Sequence, residues 1–514
     1  MLQTYQTKIK NATESSAIEC LNIIASYFTE LERKLFLDSF IRGKSRAACK
    51  NGYLKKYEIT ARQYNAIYIQ LEGKVNSIIE LNKLHVVELK DKIKSLEKYI
   101  LSNNEKLVTL REKLIKLEKK APFSEKFRKT AKQRKNIKFI IHQKKRKLAI
   151  YKNKLKRLEQ DIKNGTVRIC FGSKVLFKKQ FELEANGYQS HAEWKVDWKS
   201  ARSSQFFCIG SKDETAGNQT CTYTSNSSLR LKVPDKYKKD YGNYIIFNDI
   251  KFPYGQDTID HARQSYIGIT SGGKPVKHVN AAISYRFTKK EHGWYINATV
   301  EKEISNIVTH LRLGCLGVDL NAGFVSLCDS DRFGNPLGEE SIPCPMYDRS
   351  TDQITASMGD VVNVIVNRAL QAGKPIAIEK LDFSKKKSAL GEESYQYARM
   401  LSGFAYSKFK EMLKARASKL GVEVIEVNPA YTSIIGQVKF MKRYGLSSHG
   451  SAACVIARRG LGLKLEKPKY DSILGNFKKT INHKALKSRW STISYLSKKN
   501  YSFKARVELL KLEA

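Results

Sequence analysis

The sequence predicts a multidomain α+β protein. Three observations carry this: an apolar heptad repeat between Val86 and Leu117, a change from helical to alternating periodicity after Gly165, and strand–helix alternation from Leu311 onward. A chain of 514 residues exceeds one ordinary hydrophobic core. The expected divisions are a helical domain (1–165), a β-rich and barrel-like domain (166–310), an α/β domain (311–463) and a basic tail (464–514). The first residues could belong to the β-rich domain, and a basic coiled-coil hairpin is expected over 86–164.

In the helical part, Ile18–Ile41 and Ala61–Glu80 have helical patterns. Ile93, Leu96, Ile100, Leu107, Leu110, Leu114 and Leu117 then occupy a and d positions, with Asn103 the polar exception. The repeat stops at Ala121-Pro122, because proline lacks a donor and clashes with the preceding turn. Residues 126–157 follow with 15 Lys/Arg and no acid, while Ile141, Leu148 and Leu155 keep the seven-residue spacing. An antiparallel hairpin is expected, one arm of mixed charge and the other a basic rod. So many uncompensated charges repel one another unless a polyanion lies alongside, although charge runs are commonly just solvated faces. Lys132, Arg134, Lys135, Lys138, Lys144, Lys145, Arg146 and Lys147 are the candidate contacts.

Beyond Gly165, VRICFGSKVLFKKQ, EWKVDWKS and QFFCIGS are expected as strands, and 281–303 as a hairpin turning near Glu291-His292-Gly293. Basic residues alternate with aromatics over 237–255, a pattern that suits base stacking beside phosphate contacts as well as a plain core. From Leu313, two strands joined by a turn at Asn321–Phe324 precede a helix at Val361–Ala372. A buried strand (KPIAIEKLDF), a helix (Tyr395–Leu420), a strand (GVEVIEVNPAYTS) and a last helix in SSHGSAACVIARRG follow. A mixed five-stranded sheet fits that order. The tail has no assigned structure.

Two acids stand inside apolar strands, Asp319 in CLGVDLN and Glu379 in IAIEKLDF. A buried carboxylate must be paired or must bind a cation. Two of them on neighbouring strands make an oxygen-rich site of the kind Mg²⁺ uses with phosphates. Two ions about 4 Å apart can serve in-line phosphodiester cleavage. The structural alternative has Asp319 capping the turn and Glu379 in a buried ion pair, with Lys380 or an arginine. Asp382 is expected as a strand-end cap and Cys454 in the core.

Net charge is +43, from 93 Lys+Arg against 50 Asp+Glu, which points to nucleic acid as partner. No signal-peptide core and no run of about 18 apolar residues is present, so a cytoplasmic protein with no membrane partner is expected. Nine cysteines without a C-x2-C pair indicate neither a disulfide framework nor a zinc ribbon.

GVDLNAGFVSL, IAIEKLDF and VEVIEVNPAYTS with a helix ending IARRG together resemble the RuvC-type RNase H fold of the TnpB family. These are transposon-encoded RNA-guided DNA nucleases related to type V CRISPR effectors. The motifs cover about residues 311–462, and the rest agrees in architecture only, as a β-rich wedge domain with a helical recognition domain. The resemblance implies a metal-dependent endonuclease associated with a transposable element, with guide RNA and target DNA as partners. Asp319 and Glu379 would be its first two catalytic acids, holding Mg²⁺ or Mn²⁺. Two departures stand out. The family's zinc-ribbon cysteines are missing from IIGQVKFMKRYGLS, so no zinc is expected. The family's third acid falls on His449, at the mouth of the last helix.

Ser447 or Ser448 can N-cap that helix, leaving His449 in its first turn. The positive helix end favours a neutral imidazole, the ligating form, so His449 is the candidate third catalytic and metal-binding residue. Loss of the acid's charge should weaken the second metal and favour Mn²⁺. Arg458 and Arg459, two turns further on, could contact phosphate or cap the helix C-terminus. The alternatives to a guided nuclease are a nuclease-inactive RNA-guided repressor and a transposase.

Overall fold

The computed structural model describes residues 2–10, 15–122, 124–269, 272–301, 305–321, 323–345, 349–380, 403–464, 466–467 and 486–499. The expected cap Asp382 and the start of the Tyr395–Leu420 helix lie outside the described residues. The chain forms two compact units, Met1–Glu303 and Ile304–Ala514.

In the first unit one helix runs from Ala61 to Lys120, and a second from Glu125 to Lys163. The two stretches expected as separate helices, 61–80 and the heptad run, are thus continuous. A capping box of Thr60 and Gln63 starts the first helix, and Ser124 caps the second by accepting from Phe127 N. Ion pairs Lys90–Glu159 (2.8 Å) and Lys152–Glu97 (2.7 Å) make the pair antiparallel. Leu89, Ile93, Leu96, Ile100, Asn103 and Leu110 are the buried seam of the first arm, and Ile141 is buried on the basic arm. Asn103 satisfies its amide locally, Nδ2 donating to Tyr99 O at 2.8 Å.

The β-rich part differs from expectation in two ways. In place of a barrel, the described strands form open sheets. β1 (Leu2–Lys8), β9 (Gly293–Glu301), β8 (Ile283–Lys290) and β2 (Gln205–Cys208) lie in that order as one antiparallel sheet. β3 (Cys221–Tyr223), β4 (Leu229–Lys232) and β5 (Tyr244–Phe247) form a second sheet, and β6 (Ser265–Ile269) pairs with β7 (Pro275–Val279). β2 to β5 are three or four residues long, too short to wind a closed barrel.

The second difference is that two expected strands are helical. KVLFKK (Lys174–Lys179) and HAEWKVDWKSAR (His191–Arg202) are helices capped by Ser173 and Ser190. Trp194 and Trp198, four residues apart, stack at 5.6 Å on one helix face. Four-residue aromatic spacing and an N-cap outweigh the β-propensity of tryptophan. One apolar core joins residues on both sides of position 165, from Leu21 and Leu31 to Phe206, Phe287 and Ile296. Phe247 and Phe252, in the basic–aromatic stretch, also belong to it, whereas Tyr254 is exposed.

The second unit is built on a mixed five-stranded sheet, ordered β12 (Pro336–Pro343), β11 (Phe324–Ser330), β10 (Cys315–Leu320), β13 (Ile376–Glu379) and β14 (Val424–Val427). β10 pairs antiparallel with β11 and parallel with β13, and β13 pairs parallel with β14. Leu316, Val318, Ile376 and Ile378 pack on one face beneath the helices Thr351–Ala372 and Gly403–Leu420. Cys315 and Ala377 point to the other face, against Ile456 and Ala457 of the helix Ser448–Gly460. Cys454 is fully buried in a neighbouring cluster. In the tail, left unassigned from the sequence, Leu486–Lys499 is a helix whose Trp490 and Ile493 are buried beside Phe440 and Cys454. No described helix is long and apolar enough to cross a membrane.

Candidate active site: a carboxylate pair under a helix mouth

Strand alternation separates the acids from their apolar neighbours. Leu316 and Val318 face the core while Cys315, Gly317 and Asp319 face the Ser448–Gly460 helix. Gly317 is the reason that helix can lie so close. A Cβ there would collide with the Ala453 carbonyl and approach Ala457 N to 2.7 Å. In the parallel pairing of β10 with β13, Val318 is opposite Ile378, so Asp319 and Glu379 are the next residues of two adjacent strands. Both sit at carboxyl ends of parallel strands, where open α/β sheets place their sites.

The helix mouth completes the arrangement. Ser447 is the N-cap, its hydroxyl accepting from Gly450 N at 2.9 Å. His449 is thereby held in the first turn, its Nδ1 3.3 Å from Asp319 Oδ2. The ring meets Phe324 edge-on with centroids 5.0 Å apart and is about half exposed. Asn321 Nδ2 donates to the same Asp319 oxygen at 3.1 Å. Burial pushes the Asp319 carboxyl above the usual aspartate range, while Asn321 and His449 act against that rise. Among the described residues no lysine or arginine forms an ion pair with Asp319, and the group paired with it is His449.

Glu379 is steadied from two other elements. Thr432 Oγ1, at the start of the short helix Thr432–Ile435 that follows β14, donates to its Oε1, and Tyr406 Oη donates to its main-chain oxygen. Tyr431, just before Thr432, takes a left-handed conformation (φ 64°), uncommon for a bulky residue and often found at functional sites. Burial first, then the charges of Glu379, Glu426 and Asp319, drive the Tyr406 hydroxyl far above its ordinary value.

Other candidates are placed differently. Arg458 and Arg459 neither cap their own helix nor stand free for phosphate. Arg458 Nε donates to Glu466 Oε1 and its Nη1 to Gly334 O, both at 2.7 Å. Arg459 donates to Asn428 O and, at 2.7 Å, to Ala430 O. Burial holds the Arg459 guanidinium down and the charge of Glu379 works the other way. The charge of Glu379 thus reaches Arg459, while Lys380 donates its main-chain N–H to Val427 O. On the basic rod Lys132, Lys135, Lys138, Lys145 and Arg146 are exposed, whereas Arg134, Lys144 and Lys147 are half-buried. Lys144 Nζ lies 5.3 Å from the Tyr99 ring.

Four residues near the site have no distinctive sequence signal: Asn321, Thr432, Tyr406 and Glu339. Glu339 accepts from Ser447 N at 2.8 Å and from its hydroxyl at 3.1 Å, bracing the helix mouth from the edge strand β12. That strand is exposed along most of its length, so no alternation in PLGEESIP betrays it.

Carboxylate oxygens with one imidazole suit a hard or borderline divalent cation. Among the described residues no three His, Cys, Asp or Glu groups converge as a cation site. Asp319 and Glu379 are oxygen donors of the type that Mg²⁺ takes together with substrate phosphates. None of the nine cysteines is in a disulfide.

No family model matches the sequence, and no curated protein matches it. Among the solved structures that match, two illustrate how weak the similarity is. Against the Cas12i1 R-loop complex before target DNA cleavage the TM-score is 0.17 with 11% identity, covering 91% of this chain and 55% of that one. Against the complex after cleavage the values are 0.18 and 12%, with the same coverage. The chain thus spans about half the length of those structures, and at such TM-scores the site stands on its own geometry.

Proposed function

We propose that this protein is an RNA-guided DNA endonuclease of the TnpB type that hydrolyses phosphodiester bonds at Asp319, Glu379 and His449. The observation that carries the reading is the juxtaposition of the two acids. They end adjacent parallel strands on one face, with His449 Nδ1 3.3 Å from Asp319. Asp319 and Glu379 would hold Mg²⁺ or Mn²⁺; when bound, such an ion supplies Lewis-acid stabilisation of charge developing on the scissile phosphate. Asn321 and Thr432 orient the two carboxylates, Phe324 and the Ser447 cap orient His449, and the helix packed on Gly317 excludes water from one side. Guide RNA and target DNA are the partners supported by the charge of +43 and by the basic rod.

A second reading is favoured by one observation: His449 pairs with Asp319 itself rather than joining a three-ligand cluster. In that case the protein binds guide RNA and DNA without cutting. The test is to purify the protein with its co-expressed flanking RNA and assay a matched target in Mg²⁺ and in Mn²⁺. Cleavage is expected, lost in Asp319→Ala and reduced in His449→Ala. Cleavage that survives Asp319→Ala overturns the site. Target binding without cleavage in either metal establishes the second reading, and absence of bound RNA overturns both.

A further inference from the structure

The first unit contains a cleft of about 500 Å³ between the Ser15–Phe36 helix and the segment 168–202, a volume in the range of small-molecule sites. Its charge is not balanced from within. Arg33 and Arg202 both line it, and Arg33 Nη1 and Arg202 Nε are buried without meeting an acceptor among the described residues. Burial and the neighbouring charge of Arg202 hold the Arg33 guanidinium down. The acids that bear on Arg33 are held elsewhere, Glu30 by Lys34 at 2.6 Å and Glu32 by Lys74 at 2.7 Å. Two like-charged groups with unmet buried donors are costly unless an anion accepts from both. Lys174 and Lys178 add positive charge at the exposed rim.

The remaining wall is aromatic. Phe177 and Trp198 lie 5.6 Å apart at 53°, and Arg202 Cζ is 5.2 Å from the Trp198 ring. Gly172 seals the side behind them: a Cβ there would press on Trp198 and Arg202 at 3.0–3.1 Å, and its φ of +113° suits glycine. A guanidinium pair beside aromatic surface recognises a phosphate joined to a planar ring.

We propose that this cleft seats one nucleotide of a single-stranded nucleic acid, its phosphate between Arg33 and Arg202 and its base against Phe177 and Trp198. The proposal rests on the nucleic-acid reading above only for the polymer, and it uses no residue of the carboxylate site.

Calorimetric titration of the full chain in EDTA tests it without guide, target or metal, so cleavage results do not bear on it. The ligands are adenosine 5′-monophosphate, adenosine, inorganic phosphate and a 5′-phosphorylated oligoadenylate. The oligonucleotide should bind most tightly, the mononucleotide next, and adenosine and phosphate least. Arg33→Gln and Arg202→Gln should each weaken mononucleotide binding at least about tenfold, the factor one charge-assisted hydrogen bond carries. Phe177→Ala should weaken the mononucleotide but not phosphate. If an arginine variant does not fold, the surface variant Lys174→Gln/Lys178→Gln provides the readout, with weakened binding expected. No saturable mononucleotide binding, or unchanged affinity in the folded variants, overturns the site. Phosphate binding as tight as the mononucleotide overturns the base contact, and an oligonucleotide no tighter than the mononucleotide overturns the polymer.

Discussion

His449 Nδ1 lies 3.3 Å from Asp319 Oδ2, across 130 residues of sequence. The contact joins a first-turn histidine to a carboxylate that burial has raised above its ordinary pKa, without a lysine or arginine in the pair. A buried carboxylate so placed is a cost to the fold that a bound cation offsets.

Asp319→Asn is accordingly expected to melt higher than the native protein in EDTA, each 1 kcal/mol of relief giving about 2–4 °C in a domain of this size. Added Mn²⁺ should raise the melting temperature of the native chain and leave the variant unmoved. Differential scanning calorimetry with and without Mn²⁺ reads both. An Asn variant that still responds to Mn²⁺ removes Asp319 from the cation site.

Gly317→Ala puts a methyl group into the Ala453 carbonyl, a backbone atom that cannot swing aside. Destabilisation of about 3 kcal/mol or more is expected, the upper range for overpacking, with the helix mouth displaced and the response to Mn²⁺ lost. Urea unfolding followed by circular dichroism measures the first effect. Near-native stability would mean the helix does not pack so closely on β10.

Glu426 accepts from Lys410 at 2.9 Å and also pairs with Lys414. These hydrogen bonds hold its carboxyl below the ordinary value of 4.5. A lowered pKa contributes stability above the unfolded-state value, lost as pH falls through the native one. Glu426→Gln should cost about 0.5–1 kcal/mol at pH 7, discounted for partial exposure. The gap between variant and native protein should close as pH drops below about 4.5. A gap that persists at pH 3 assigns the effect to packing.

Trp490 is fully buried and donates its indole N–H to Glu466 O at 2.7 Å. Trp490→Ala should cost about 3–5 kcal/mol, and removal of everything after Lys464 should leave the Phe440–Cys454 cluster open and the product insoluble. Chemical denaturation of the point variant and the soluble yield of the truncation are the measurements. A soluble, cooperatively folded truncation would show that the tail is dispensable.

The basic rod makes a prediction about salt. Replacing Lys132, Lys135, Lys138, Lys145 and Arg146 by Gln should flatten the dependence of log K on log salt by about 0.7–0.9 for each phosphate contact removed. Fluorescence anisotropy with RNA at several salt concentrations gives the slope. An unchanged slope would leave the rod a solvated face.

Residue spacing alone reveals those features that local periodicity controls. The heptads of 93–117, the hairpin turning at Glu291-His292, the alternation isolating Asp319 from Val318, and a serine cap at Ser447 or Ser448 all follow from residue spacing, with the structure choosing Ser447. Where two periodicities competed, as in EWKVDWKS, the cap and the four-residue tryptophan pair decided for helix. Only tertiary structure could bring Asp319, Glu379, Thr432 and His449 to one end of one sheet face, because strand register and helix packing are long-range relations. Only it could turn Arg458 inward to Glu466, brace the helix mouth with Glu339, and bury Trp490 from a tail with no periodic signal. Those outcomes depend on which surface lies opposite each side chain, and residue spacing within one segment carries no information about that.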